Sequence, residues 1–413
     1  MRTKQGDKRA ISTKFLLVST LLIVTLAAFL SRALPRLTSL ASHLSPPAIR
    51  PFHHANNSSM SSYAKELQVA QLAVQRAAIL TKRVFHEKAK GTVSKDDKSP
   101  VTIGDFGAQA LIIAALKANF PDDQIVAEEE AAQLRQDAAL RRTIWDLVRT
   151  TRLSDPAAEE SVLGGAVADE DAMLELIDRG NSKGGAHGRV WAIDPIDGTK
   201  GFLRGGQYAV CLALMVDGDV KVGVLGCPNL PIDDAAPLTG SMESGQTDEG
   251  RGVLFSGVLG QGATSRPLTT GALAAGKSIS MRAITEIAAA TFCESVEAGH
   301  SSHGDQAEIA KRLGITNPSV RMDSQAKYAS IARGAGDIYL RLPVSATYQE
   351  KIWDHAAGDL IVREAGGAVT DIHGKRLNFG IGRTLADNKG VVAAPAAAHP
   401  QVLKVVQEVL SKK

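Results

Sequence analysis

The stretch Trp191-Ala-Ile-Asp-Pro-Ile-Asp-Gly-Thr-Lys200 constrains this chain more than any other. Val190–Ile193 is an apolar run that reads as a buried strand, and it passes at once into Asp-Pro and Asp-Gly, two turn-forming pairs. Two carboxylates therefore stand at the C-terminal end of a strand. Pro195 fixes the backbone between them and Gly198 permits a tight turn, so Asp194 and Asp197 can converge on one point instead of alternating across a sheet. Converging carboxylates repel one another unless a cation lies between them, and oxygen ligands on a stiff turn suit Mg²⁺. Taken alone, the same turn also reads as a surface element whose acids cap the next one, so the rest of the chain has to decide.

With 413 residues the chain can bury a sizeable core, in two domains or one large one. Aromatic residues make up only 4% and glycines number 38, and this mix, with many short Val/Ile/Ala runs, favours an α/β or α+β architecture over a helical bundle. The net charge of +3 is small, and no basic block interleaved with aromatics marks a nucleic-acid surface. Cys211, Cys227 and Cys293 share no metal-binding spacing. Neither a disulfide framework nor a zinc site is expected of them; they fit a reducing compartment, and two of them lie in apolar runs that suit buried positions.

Residues 1–60 read as a segment outside the fold. Basic residues flank an apolar run, 15–30, that is shorter than the ~20 residues of a membrane span, and no acid occurs between Asp7 and Glu66. A mitochondrial-type presequence and a membrane anchor through 15–30 both fit, and translation from Met60 would leave a cytoplasmic protein. From Ser62 to about Lys90 the spacing of Leu67, Ala70, Val74, Ala77 and Leu80 predicts an amphipathic helix, followed by a polar loop at 95–99 and a second helix over 106–119. Thr102 and Asp105 stand where helix N-caps belong. A short strand, 124–127, runs into Glu128-Glu129-Glu130, and 131–188 is polar and helical with nothing chemically pointed. After Gly198 comes a hairpin turning at Asp217-Gly218, then an acidic Gly/Ser-rich loop at 231–251, then a single strand over 253–262. Strands and helices alternate beyond it. A boundary near 206 would separate an N-terminal α+β part, 61–206, from a C-terminal α/β part, 207–413.

Asp105, Glu128, the Asp194/Asp197 pair and Asp354 each sit where a strand or loop gives way to a turn or helix start. A cap alone would account for Asp354, in the first turn or N-cap of a helix. Together, five carboxylates at element ends suit a site of two or three metal ions for phosphoryl transfer. Gly205-Gly206 and Gly366-Gly367 do not form a dinucleotide-binding loop; the second pair reads as a helix C-cap.

Asp194-Pro-Ile-Asp-Gly-Thr199 followed by Trp353-Asp-His-Ala-Ala-Gly-Asp359 resembles the paired signature of the lithium-sensitive, Mg²⁺-dependent phosphatases that include inositol monophosphatase and fructose-1,6-bisphosphatase. Ser99–Asp105, Gly198–Arg204, Gly299–His303, Asp323–Tyr328 and Tyr348–Asp354 are similar to the 3′(2′),5′-bisphosphate nucleotidase branch, over roughly 62–410. The resemblance implies a monomer with a layered αβαβα sandwich that removes the 3′-phosphate of adenosine 3′,5′-bisphosphate, and of its sulfated form, with Li⁺ or Na⁺ as inhibitors and a link to sulfate assimilation. It implies Mg²⁺, two or three ions, held by Glu128, Asp194, the Ile196 carbonyl, Asp197 and Asp354. Asp105 and Thr199 would orient and deprotonate the attacking water. His300, Ser324, Lys327 and Arg341, with Thr199 and Asp354, would hold the nucleotide, and Arg341 can grip a phosphate with two bonds. One departure is the acidic triplet, in which Ala127 replaces a usual glycine and leaves Glu129 as an alternative to Glu128. An inositol phosphate phosphatase, or a non-catalytic module sensing nucleotides or cations, would carry the same acids.

Overall fold

The computed structural model describes residues 63–86, 92–94, 100–240, 249–345 and 347–411. The presequence or anchor reading of 1–60 and the loop at 95–99 lie outside the described residues. Among the described residues no helix is long and apolar enough to cross a membrane.

In chain order the helices are α1 (Ala64–His86), α2 (Ile103–Asn119), α3 (Ala132–Gln136), α4 (Ala138–Thr150), α5 (Glu170–Asp178), α6 (Thr199–Arg204), α7 (His303–Leu313), α8 (Ala326–Ala332), α9 (Ala356–Glu364) and α10 (His399–Leu410). The strands β1 (Thr92–Ser94) and β2 (Pro100–Thr102) form a small antiparallel ribbon. A seven-stranded sheet follows the chain in order: β3 (Gln124–Ala127), β4 (Arg189–Asp197), β5 (Ala209–Val216), β6 (Asp219–Pro231), β7 (Arg251–Val258), β8 (Gly262–Pro267) and β9 (Lys277–Ile279). Only β3 and β4 pair parallel in it. Residue 206 lies in the connection between β4 and β5, which pair with each other in this sheet. The second sheet has the order β11 (Val320–Arg321), β10 (Phe292–Glu294), β12 (Ile338–Arg341), β14 (Val391–Pro395), β13 (Gly367–Thr370).

The period of two along the strands explains the layering. Trp191, Ile193, Leu212, Leu214, Val222 and Val224 point to one side and pack with Val69, Ala73, Ile112 and Leu116 of α1 and α2. The alternate residues Val190, Ala192, Cys211, Ala213, Leu225 and Cys227 face Ala329, Leu360 and Ile361 of α8 and α9. Those two helices lie between the sheets. On the far face of the second sheet, Ile309 and Leu313 of α7 and Val402 and Val406 of α10 pack against Phe292, Leu340 and Val392. The result is the αβαβα sandwich. All three cysteines are buried and free.

Three elements differ from the sequence reading. The expected strand over 253–262 is two antiparallel strands, β7 and β8, because the chain reverses at Gly260-Gln-Gly262, which the apolar run up to Leu259 obscures. Strand β4 does not end at Ile193 but continues to Asp197. Within 131–188, the π-helical turn Ala157–Val162 delivers Glu159 to Arg76 of α1 at 2.8 Å, an ion pair almost wholly shielded from solvent.

Candidate metal and phosphate site

Strand β4 pairs regularly with β5 as far as Asp194 opposite Cys211, slips, and resumes with Asp197 opposite Ala209. Pro195 lies inside the slipped stretch, and lacking an N–H it cannot extend the ladder, so the bulge re-aims the two acids. Gly198 then adopts φ +88° at the start of α6, and a Cβ there would lie 2.9 Å from the Cβ of Ser324. The acidic turn and the Ser324 turn are therefore in contact.

Asp194 is buried, and its Oδ1 meets no hydrogen-bond donor among the described residues. Asp197 Oδ2 accepts the Gln325 N–H at 2.6 Å. Asp354 does not cap α9: it closes a 3₁₀ turn, Ile352–Asp354, and His355 occupies the position before the helix. Its carboxylate is thereby released toward β4. One oxygen each from Asp194, Asp197 and Asp354 fall within 4.8 Å of one another. Burial, then the charges of Glu128, Asp197, Asp354 and Asp105, push the Asp194 carboxyl well up. Burial raises Asp197 to about 6 against the pull of Lys327, and burial and then Asp197 raise Asp354. Anions gathered at such a cost, one with an orphaned oxygen, fit a multivalent cation held by hard oxygen donors.

Glu128, just past β3, lines the same cleft. Glu129 does not line it; its backbone is bonded in both directions to the Gln109 side chain, at 2.9 and 2.8 Å. Asp105 sits inside the first turn of α2 instead of at its cap, buried and behind the cleft wall, where its charge reaches Asp194. The Thr199 hydroxyl donates to the Ile196 carbonyl at 3.2 Å, which leaves its oxygen lone pairs for a further donor.

Cations line the same cleft. Lys327 is buried in α8, donates to the Met322 carbonyl at 3.1 Å and lies 5.2 Å from the Tyr339 ring centroid; burial brings its pKa down to about 8. Arg341 ends β12, and Glu350 takes the edge formed by its Nε and Nη2 at 2.9 and 2.8 Å. A two-bond grip on phosphate is thus restricted to the outer edge of the guanidinium. Burial would raise Glu350, but Arg341 and His355 bring it down to about 2. His355, without a role in the sequence reading, links Glu350 to the Tyr328 hydroxyl. Burial, then Arg341 and Lys327, lowers His300 to about 4, so this imidazole is neutral. Ser324 holds φ +69° and accepts the Ala326 N–H at 3.1 Å. Lys327, Arg341, His300 and Ser324 line one cleft of about 620 Å³ with Glu128, Asp194, Asp197 and Asp354.

Sequence reasoning missed two supports. Gln325 donates to the Trp353 carbonyl and accepts the Gly358 N–H, both at 2.8 Å, tying α8 to the Asp354 turn. It lies inside a motif that the sequence had already singled out. Arg383 donates to the carbonyls of Ala127, Gly180 and Ser182 and lies 4.9 Å from the Trp353 ring centroid, buttressing the end of β3 beside Glu128. No local pattern marks it.

A layered sandwich with converging acids and cations in one cleft is the architecture of a metal-dependent phosphatase, and the chain belongs to the inositol monophosphatase family, whose profile matches residues 62–411. The branch it resembles is narrower. It is 67% identical over 350 residues to the 3′(2′),5′-bisphosphate nucleotidase of Emericella nidulans, spanning 84% of this chain and 99% of that protein. The Schizosaccharomyces pombe protein of the same name is 48% identical over 85% of this chain and 97% of its own. Among solved structures, the Thermotoga maritima IMPase superposes with a TM-score of 0.53 at 21% identity, covering 84% of this chain and 98% of that one. That likeness establishes the fold.

Proposed function

We propose that the protein hydrolyses the 3′-phosphate of adenosine 3′,5′-bisphosphate to AMP and phosphate, and also accepts the sulfated nucleotide. The observation that carries this reading is the convergence of Asp194, Asp197 and Asp354 within 4.8 Å, in a cleft that Lys327 and Arg341 also line. The acids suit metal ions and the two cations a phosphate that is not cleaved. The nucleotidase relatives support the choice of substrate over inositol phosphates.

Glu128, Asp194, Asp197, Asp354 and the Ile196 carbonyl would hold two or three Mg²⁺ ions, which supply positive charge to lower the pKa of a water and to offset charge on the leaving oxygen. The Thr199 hydroxyl, whose proton is committed to Ile196, accepts a hydrogen bond from the water and fixes its orientation. For a proton to reach Asp105, the Thr199 hydroxyl turns its own proton from the Ile196 carbonyl to the Asp105 carboxylate and takes the water's proton in exchange. Lys327 and the outer edge of Arg341 bind the 5′-phosphate. Neutral His300 and Ser324 orient the ribose without adding charge. The N-terminal segment, 1–60, is proposed to direct or anchor a monomeric enzyme whose globular part begins near 61, with most metal-binding residues before about 206, and Asp354 and most substrate-binding residues after it.

Phosphate release from adenosine 3′,5′-bisphosphate and from inositol 1-phosphate, assayed side by side in Mg²⁺, tests the reading. Preference for the nucleotide is expected. Preference for the inositol phosphate would overturn it, and nucleotide binding without release would identify a sensing module.

A further inference from the structure

Arg204, the last residue of α6, joins two carboxylates from separate segments. Its Nη2 donates to Asp323 Oδ2 at 2.7 Å and its Nη1 to Glu297 Oε1. Lys200 of the same helix lies 3.8 Å from the other oxygen of Glu297. Glu297 also accepts the His300 N–H on its backbone carbonyl at 3.0 Å, so it anchors the His300 turn. Asp323 immediately precedes Ser324, whose backbone is held at φ +69°. The helix that begins at Thr199 thus grips both turns that face the substrate. Gly201 allows that approach, since a Cβ there would lie 2.5 Å from Asp323 Oδ2.

Charge gives the contact its significance. Asp323 lines the cleft with a side chain only 5% exposed, an anion placed among the groups that must attract phosphate. Burial raises its pKa, and the opposing influences are Lys327 first and Arg204 second. Two cations therefore compete for one carboxylate. With Arg204 engaged, the Lys327 ammonium rests on the Met322 carbonyl and the Tyr339 ring. Without Arg204, Asp323 would turn to Lys327 and neutralise it.

We propose that Arg204 is a positioning residue: by bridging Asp323 and Glu297 it keeps Lys327 free for the uncleaved phosphate and fixes the His300 and Ser324 turns over α6. The inference rests on the nucleotide-phosphatase reading above. Because Arg204 is 44% exposed, its ion pairs contribute little to stability, and their effect falls on substrate affinity.

The test uses the full-length protein and the variants Arg204→Gln, Arg204→Lys and Glu297→Gln, with steady-state rates on adenosine 3′,5′-bisphosphate, calorimetric binding of AMP, and Tm. Absence of wild-type turnover would remove the phosphatase reading, whatever the variants do. Given wild-type turnover, Arg204→Gln is expected to raise KM and weaken AMP binding about tenfold, with kcat within about threefold of wild type. Glu297→Gln should move KM in the same direction by less. Arg204→Lys should recover part of the loss, since an ammonium can serve one carboxylate but not fork between two. Unchanged KM and AMP affinity in Arg204→Gln would overturn the inference. A parallel fall in kcat and Tm across all three variants would also overturn it, by showing a merely structural role.

Discussion

Lys327 and Asp197 carry opposite charges in the cleft, and each yields a measurable expectation. Burial lowers Lys327 to about 8, so its positive charge is present at neutral pH and is lost as pH rises through 8. The pH profile of kcat/KM, which reports the free enzyme, should therefore fall above pH 8. Lys327→Arg should move that descending limb upward, because a guanidinium stays charged. A limb unmoved by the substitution would remove Lys327 from phosphate binding. Asp197→Asn keeps shape and the bond from Gln325 but removes a charge from the acid cluster. Loss of several kcal/mol of charge stabilisation corresponds to a fall in kcat/KM of roughly 10³-fold, with far-UV circular dichroism unchanged. Near-normal turnover would defeat the metal assignment.

At the scale of elements, legibility followed how local the signal was. The acids of β4 stood out because an apolar run ends in Asp-Pro-Ile-Asp-Gly, and α1 because its apolar spacing is helical. Glu350 was not legible as the partner of Arg341, nor Arg383 as the support of β3, since each works through contacts that sequence spacing does not encode. Asp354 was placed one element too late, because a 3₁₀ turn and a helix start look alike in sequence. The clearest omission is Glu159, whose stretch looked chemically empty. Its partner Arg76 lies on the buried side of α1 and also donates to the Leu111 carbonyl at 2.8 Å. Glu159→Gln should leave that guanidinium without its counter-charge and destabilise the protein by about 3–5 kcal/mol in urea unfolding, with kcat/KM at low temperature unaltered. Gly198→Ala should behave the other way. Forcing φ +88° on a Cβ costs about 1–2 kcal/mol. The same methyl at 2.9 Å from the Ser324 Cβ displaces a turn that lines the cleft, so activity should fall about 10²-fold while Tm changes only modestly.

At the scale of the whole molecule, the two sheets and the helices between them bring Glu128 just past β3 and residues from β4, α8, β12 and the Asp354 turn to one cleft. The core was readable from alternating apolar residues, whereas the order of the second sheet, with β10 between β11 and β12, depends on pairings between distant segments. That assembly holds Asp194, Asp197 and Asp354 together in a buried place where burial and mutual repulsion oppose their charge. A bound divalent cation removes the repulsion only in the folded state, because the unfolded chain does not gather these acids. Mg²⁺ should therefore stabilise the fold by mass action, about 2.7 kcal/mol at one hundred times its dissociation constant. Thermal unfolding should show a Tm lower by a few degrees in chelator than in Mg²⁺ at pH 7.5. In Asp194→Asn the repulsion and the binding are both weakened, so its Tm in chelator should equal or exceed that of the wild type and its response to Mg²⁺ should shrink. An undiminished Mg²⁺ response in that variant would place the stabilising ion elsewhere than between these acids.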